Sequence, residues 1–257
     1  MSPAAPPRWY VISLRPRGEH APLRRAAARH GAGLIALSPW LLRDRDDATT
    51  RTALAAALAA PRVLVTSPAA ARAAARLQPL RGCADQRWFA VGAGTAAALR
   101  RAGVDAVASP ARMDSEGVLA LPGLQDFAGD DVLGLIGAPG GRGLLVPALQ
   151  ARGARVRRAD VYERVAVAPS PRAVAALRAL SRPAALALSS GEALQRIVAA
   201  LPADALVRLR GAQVLAASER LAALARELGF ADIVVAAGPR PRELLAAARA
   251  PKEVPAL

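Results

Sequence analysis

The plainest chemical signature in the chain lies at residues 88–103, WFAVGAGTAAALRRAG. Its apolar run ends at two glycines, and the spacing Gly92-x-Gly94-x-x-Ala97 fits the fingerprint of a dinucleotide-binding turn. That fingerprint normally follows the first strand of its domain, whereas here another strand–helix pattern, residues 63–77, comes before it. The related turn later in the chain, AASERLAAL, has no glycine. We therefore expect no nicotinamide or other cofactor.

Small hydroxyl side chains stand where other apolar runs meet helix-like segments. They are Ser67, Thr95, Ser190 and Ser218. Ser and Thr are ordinary helix N-caps, which is one interpretation of each. In a parallel sheet, however, such helix starts gather at the carboxyl edge, where free backbone amides and the helix dipole favour anions. Together they predict an edge that binds an anionic ligand.

Few residues are available for metal binding or nucleophilic catalysis. The chain has one cysteine, Cys83, and two histidines, His20 and His30, which both fall in an early helical stretch. This set cannot form a structural zinc site and gives little support to a Ser-His-Asp or Cys-His centre. We expect no metal.

The formal charge of +15 allows three interpretations. Arginines are dispersed over helix-like segments and Lys252 is the only lysine, as a GC-rich genome and solvated helix faces would produce. An anionic small-molecule ligand is the second interpretation. Nucleic acid is the third, and the lack of basic runs interleaved with aromatic residues argues against it. The sequence has no stretch of about 18 apolar residues that would predict a membrane span. No signal peptide is evident either, so we expect a cytoplasmic protein.

Strand-like runs alternate with Ala-rich helices along the chain, which is typical of parallel sheets covered by helices. The predicted strands are 10–14, 33–37, 63–66, 88–91, 104–108, 132–136, 155–159, 184–188, 213–216 and 233–236. Three of these strand–helix patterns recur about 125 residues later. The sequence therefore predicts two related α/β domains, with Pro-rich or charged connections at 38–50 and 162–171.

Several of these stretches, taken in order, resemble the uroporphyrinogen-III synthase family. They are VLVTSP, FAVGAGTAAALRRAG, GARVRRADVYER, LALSSGEAL and AASERLAALARELGFADIVVA. The resemblance implies two flavodoxin-like parallel-sheet domains with interleaved connectivity, joined by a two-stranded linker. The first domain would combine residues 1–38 and 168–257, the second would take 52–158, and 39–51 and 159–167 would be linkers.

The family closes the linear tetrapyrrole hydroxymethylbilane to uroporphyrinogen III, inverting the last pyrrole ring and releasing water. The resemblance thus implies a cofactor-independent lyase of tetrapyrrole and heme biosynthesis. We expect a monomer that could transiently contact the upstream deaminase. We expect no nucleic-acid or membrane partner. The alternative is a non-catalytic, two-domain protein that binds a small anion.

By resemblance, Tyr162 would donate a proton to the departing hydroxyl, or else pack as a linker aromatic. The substrate-binding residues implied are Arg15, Ser67, Gly94, Thr95, Arg142, Ser190 and Ser218. The chain departs from the family pattern at Gly137, where relatives commonly carry Arg or another polar residue.

Overall fold

The computed structural model describes residues 7–82, 85–111, 115–129, 131–140 and 143–249. The strands are β1 (Trp9–Ser13), β2 (Ala32–Ala36), β3 (Trp40–Asp44), β4 (Arg62–Val65), β5 (Arg87–Ala90), β6 (Val107–Ala108), β7 (Val132–Gly137), β8 (Arg155–Asp160), β9 (Tyr162–Ala166), β10 (Ala184–Leu188), β11 (Gln213–Ala216) and β12 (Ile233–Val235). The helices are α1 (Ala21–Arg29), α2 (Ala48–Leu58), α3 (Pro68–Leu77), α4 (Ala93–Arg101), α5 (Ser115–Leu119), α6 (Leu145–Ala151), α7 (Pro171–Arg178), α8 (Gly191–Ala200), α9 (Ala203–Arg210), α10 (Glu219–Glu227) and α11 (Pro241–Ala246).

The chain divides into two compact units, each with its own parallel sheet. The first unit contains Met1–Leu41 and Val165–Leu257, and the second contains Leu42–Arg164. In the first unit the strand order is β12-β11-β10-β1-β2, and in the second it is β6-β5-β4-β7-β8. The two segments that run from one unit to the other, β3 and β9, pair as a two-stranded sheet. The prediction of an α/β protein with two parallel sheets is confirmed.

The two sheets have the same arrangement of equivalent strands, but the chain passes through those strands in a different sequence. The first sheet follows the flavodoxin order, in which the chain's second strand lies at one edge beside the first. In the second sheet the chain enters at the central strand β4, and the pair β7–β8 takes the place that β1–β2 has in the first. Each unit therefore joins a strand pair from one sequence repeat to a strand triplet from the other.

Apolar residues on both faces of the central strands build the cores. In β1, Val11 packs into one cluster and Ile12 into another, because successive side chains of a strand point to opposite faces. In β4, Val63 and Val65 pack on one side and Leu64 on the other. Continuous apolar runs of this kind are typical of parallel strands that helices cover on both sides. No helix within the described residues is long and apolar enough to cross a bilayer.

The close packing of α2 against β7 gives a test of the second unit. A Cβ at Gly134 of β7 would collide with the backbone carbonyl of Ala57 in α2. We expect Gly134→Ala to lower the free energy of unfolding by about 1–3 kcal/mol or more, because the buried backbone must shift. Urea denaturation would measure the change.

Gly211→Ala is the matched control. Gly211 has an ordinary helical φ of −72°, and an added Cβ would lie 3.5 Å from the nearest carbonyl oxygen, that of Arg208. A Gly134→Ala protein that unfolds at the same urea concentration as the Gly211→Ala protein would contradict the packing described for β7.

Candidate functional site

At the carboxyl edge of the second sheet, Ser67 and Tyr162 meet. Ser67 follows β4 and is the N-cap of α3, where its Oγ accepts a hydrogen bond of 3.0 Å from the Ala70 amide. Pro68, with its fixed φ, suits the first helical position that follows. Tyr162 opens β9, and its hydroxyl oxygen lies 3.1 Å from Ser67 Oγ. The structure thus brings together two of the residues predicted for the site, which lie 95 positions apart in sequence.

Which of the two hydroxyls donates at this contact decides whether the proton of the Tyr162 phenol is available for transfer. Ser67 Oγ already accepts from Ala70, so its own proton can be donated to the Tyr162 oxygen. In that arrangement the phenol proton is free for another acceptor. The Tyr162 side chain is only 7% exposed and packs in the apolar cluster on one face of the sheet. The residue therefore contributes to packing whether or not it also transfers a proton.

The next helix along this edge, α4, begins without a side-chain cap. Its N-cap is Gly92, and the amides of Thr95 and Ala96 both donate to the Gly92 carbonyl. The amides of the first turn point along the helix axis, a geometry that suits an anion. Gly94 is exposed there, whereas the Thr95 side chain is 2% exposed. Backbone groups beside Gly94, rather than the Thr95 hydroxyl, are what this turn presents.

Two further predictions concern the loop after β7. Arg142 lies outside the residues that the structure describes. Gly137 ends β7, and a Cβ there would come within 2.6 Å of Thr66 Oγ1, which itself donates to the Ile136 carbonyl at 3.2 Å. The space that a larger residue would need at position 137 is therefore occupied by Thr66, which gives a physical reason for glycine at this departure from the family pattern.

The first unit carries the remaining predicted residues at the corresponding edge of its own sheet. Ser190 caps α8 through a hydrogen bond of 3.3 Å from the Ala193 amide. Ser218 is the N-cap of α10, but its side chain makes no capping hydrogen bond. By the sequence repeat, Ser190 corresponds to Ser67 and Ser218 to Gly92. The helices α4 and α10 thus occupy equivalent places, and in both the N-terminus has no side-chain cap.

Arg15 lies just after β1 and is half-buried. Burial lowers the pKa of its guanidinium, and the charge of Glu19 partly opposes that shift. The group stays charged at neutral pH because the ordinary pKa of arginine lies far above neutrality. A partly desolvated guanidinium of this kind is a strong partner for a carboxylate.

His20, which the sequence predicts to lie in a helix, is the N-cap of α1, and both of its ring nitrogens make hydrogen bonds. It is 8% exposed, with Nδ1 2.8 Å from Ser13 Oγ and Nε2 2.8 Å from Ser38 Oγ. Burial lowers the pKa of the imidazole, and the positive charges of Arg24 and Arg15 lower it further, against the charge of Glu19. The sequence carried a partial signal, because Ser13 ends β1, Ser38 closely follows β2, and His20 precedes the helix that joins these two strands.

Comparison with known proteins identifies the family. The family model described as HEM4, uroporphyrinogen-III synthase HemD, matches residues 22–246. The chain belongs to the uroporphyrinogen-III synthase family. A uroporphyrinogen-III synthase of Salmonella typhimurium is 44% identical over 156 residues, which are 58% of this chain and 61% of that protein. One of Escherichia coli is 39% identical over 161 residues, which are 59% of this chain and 65% of the relative. The matched regions thus span less than two thirds of either relative.

Solved structures of family members share the fold. A mutant uroporphyrinogen III synthase from Thermus thermophilus superposes with a TM-score of 0.56 at 20% identity, over 92% of this chain and 96% of that one. The synthetase from Helicobacter pylori gives a TM-score of 0.57 at 14% identity, with 92% and 96% coverage. At these identities the likeness concerns the fold.

The buried histidine predicts a pH dependence of stability. The unfolded chain binds a proton at His20 near pH 6.5, whereas the folded chain does so only at lower pH. Between these two values the unfolded state holds the extra proton, so stability is full above about pH 6.5 and falls as the pH decreases. The slope reaches at most about 1.4 kcal/mol per pH unit.

We expect His20→Gln to remove this part of the pH dependence between pH 7 and 5, as measured by urea denaturation at several pH values. His30→Gln is the control, since His30 lies exposed at the end of α1. Equal slopes for the wild type and His20→Gln would contradict a neutral, buried His20.

Proposed function

We propose that this protein is a uroporphyrinogen-III synthase, which converts hydroxymethylbilane to uroporphyrinogen III with inversion of the last pyrrole ring and loss of one water molecule. The observation that carries the proposal is the family match over residues 22–246, which includes strands of both sheets. The reaction is a dehydration with ring closure and no net change of oxidation state. The enzyme is accordingly proposed as a cofactor-independent lyase that requires no metal.

The proposed chemistry asks the protein mainly to hold its substrate. The hydroxyl leaves the first ring, the last ring attacks the resulting azafulvene through its substituted carbon, and the spiro intermediate fragments and recloses. The electron-rich pyrroles supply the nucleophile. Holding the two reacting ends together can contribute roughly 7–11 kcal/mol at best, and the substrate's eight carboxylates offer the points of attachment.

The groups at the carboxyl edges suit such a ligand. The uncapped N-termini of α4 and α10 offer backbone amides and a favourable dipole to carboxylates, and Arg15 offers a guanidinium. The proposed substrate-binding residues are Arg15, Ser67, Gly94, Thr95, Arg142, Ser190 and Ser218. Because Thr95 is buried, the contact proposed for the turn at 94–95 comes from the backbone beside Gly94. For Ser67 and Ser190 the proposal allows for a second role, because both hydroxyls also cap their helices.

Tyr162 is the proposed proton donor to the departing hydroxyl. Its hydrogen bond with Ser67 supports this role, because Ser67 can donate to the phenol oxygen and leave the phenol proton available. We further propose a cytoplasmic monomer that transiently contacts the upstream deaminase, with domains at 1–38 plus 168–257 and at 52–158, and linkers at 39–51 and 159–167.

A coupled assay tests the activity. Hydroxymethylbilane is generated by its deaminase, this protein is added, and the oxidised porphyrin isomers are separated. We expect isomer III, because closure without the enzyme gives isomer I. Formation of isomer I alone, by a protein that still binds the tetrapyrrole, would support the alternative of a non-catalytic anion-binding protein.

Tyr162→Phe tests the proton donor in the same assay. We expect turnover to fall by about 10²–10⁴-fold, the usual contribution of general acid catalysis, with the Michaelis constant nearly unchanged. The lost hydrogen bond to Ser67 should lower the free energy of unfolding by only about 0.5–1.5 kcal/mol.

Tyr10→Phe serves as the control, because Tyr10 is the chain's other tyrosine and lies in β1, outside the proposed site. Wild-type turnover with isomer III as product in Tyr162→Phe would leave Tyr162 as a packing residue.

A further inference from the structure

The segment Leu14–Glu19 forms a loop at the carboxyl edge of the first sheet, and hydrogen bonds fasten it at several points. It begins after Ser13, the last residue of β1, and ends at His20, the N-cap of α1. The Arg17 amide donates to the Trp40 carbonyl at 2.8 Å, and the Glu19 amide donates to the Pro16 carbonyl at 3.0 Å. The bond of 2.8 Å between the Ser13 hydroxyl and His20 Nδ1 closes the loop at its base.

The histidine also reaches beyond the loop to the neighbouring strand. Its Nε2 lies 2.8 Å from Ser38 Oγ, shortly after β2. A neutral imidazole has one ring nitrogen that donates and one that accepts, so one serine receives a proton from the ring and the other donates one to it. The ring does not cap its own helix, because His20 makes no side-chain capping hydrogen bond. Its polar atoms are used to join the ends of β1 and β2.

The charged groups around His20 are those of the same loop and the helix that follows. Arg15 and Arg24 are close enough to disfavour a positive charge on the ring, and Glu19 favours it. Of the two arginines in the loop, Arg15 is half-buried and Arg17 is exposed. A neutral ring can stand beside Arg15 without electrostatic repulsion.

We propose that His20 is a positioning residue that acts through Arg15: by bridging Ser13 and Ser38 it fixes the loop Leu14–Glu19, so that Arg15 is held ready for a carboxylate of the substrate. The inference rests on the proposed function, because it takes the ligand to be the tetrapyrrole polycarboxylate. His20 itself is buried and need not touch the substrate.

The second unit shows why a fixed Arg15 would matter. The sequence separation that relates Gly31 to Gly153 also relates Arg15 to Gly137, where Thr66 fills the space of a side chain. Position 137, the equivalent of Arg15, therefore carries no guanidinium of its own. An arginine at this position of the fold is found in the first unit, and an Arg15 on a loop free to move would bind a carboxylate less well.

The test measures binding of an octacarboxylate porphyrin, uroporphyrin III, by fluorescence, together with steady-state kinetics in the coupled assay. His20→Leu removes both hydrogen bonds of the ring, whereas His20→Gln keeps one donor and one acceptor. We expect His20→Leu to raise the Kd and the Michaelis constant by roughly tenfold, comparable to losing one charge-assisted hydrogen bond. We expect turnover to change by less than about threefold and His20→Gln to restore most of the affinity.

A double-mutant cycle separates positioning from a general loss of structure. If His20 acts through Arg15, the protein carrying both His20→Leu and Arg15→Ala should bind no more weakly than Arg15→Ala alone, because coupled residues are not additive. His30→Leu, at the exposed histidine, is the matched control and should bind like the wild type. Where His20→Leu does not fold, Ser38→Ala takes its place in the cycle, since it removes one of the two ring contacts.

The outcomes distinguish this inference from the proposed function. Wild-type affinity in His20→Leu, or a loss that adds fully to that of Arg15→Ala, overturns the positioning role while isomer III formation by the wild type upholds the synthase. A wild-type protein that neither makes isomer III nor binds the porphyrin overturns the proposed function and this inference with it.

Discussion

The fold depends on strand pairing between distant parts of the chain. In the first sheet β1 pairs with β10, with Tyr10 opposite Ala184, and in the second β4 pairs with β7, with Val63 opposite Gly134. Each sheet combines strands from both sequence repeats, so the chain runs from one unit to the other and back through β3 and β9. The close approach of Gly134 to Ala57 shows how little room these central strands leave for a side chain.

Parallel pairing also decides where polar groups are exposed. Every strand of a parallel sheet ends at the same edge, so the helix that follows each strand begins there. The repeat then assigns similar roles to equivalent helices: Ser67 and Ser190 satisfy the first-turn amides of α3 and α8, whereas α4 and α10 begin without a side-chain cap. Among these four equivalent helices, each unit thus has one whose start is capped by its own serine and one that begins without a side-chain cap.

The sequence predicted these features unevenly, for physical reasons. Strands such as β4 and β10 follow from short apolar runs, because a strand buried on both faces needs them. The predicted strand 104–108 is reduced to Val107–Ala108. Val104 lies outside the strand because its amide donates a hydrogen bond to the Leu99 carbonyl of α4. The repeat alone could not decide whether the strand pair β1–β2 joins the triplet β4–β6 or the triplet β10–β12, because the two triplets have similar sequence patterns. Contacts such as Ser67–Tyr162 and His20–Ser38 depend on tertiary placement, which local patterns do not encode.

A repeated scaffold raises a difficulty for the proposed reaction, because the substrate has four similar rings and only one is inverted. Equivalent edges that carried the same side chains would not distinguish one ring of the proposed substrate from another. The described residues show that the edges differ. The first unit has the half-buried Arg15 and the hydrogen bonds of His20 to Ser13 and Ser38. The second has the hydrogen bond between Ser67 and Tyr162 and a glycine at position 137. Specificity is a difference of binding free energies, so unequal side chains at the two edges are what the proposed reaction requires to distinguish one ring from the other three. If the proposed function holds, the repeated backbone supplies equivalent helix starts in both units, and a few unequal side chains would distinguish the ring that is inverted.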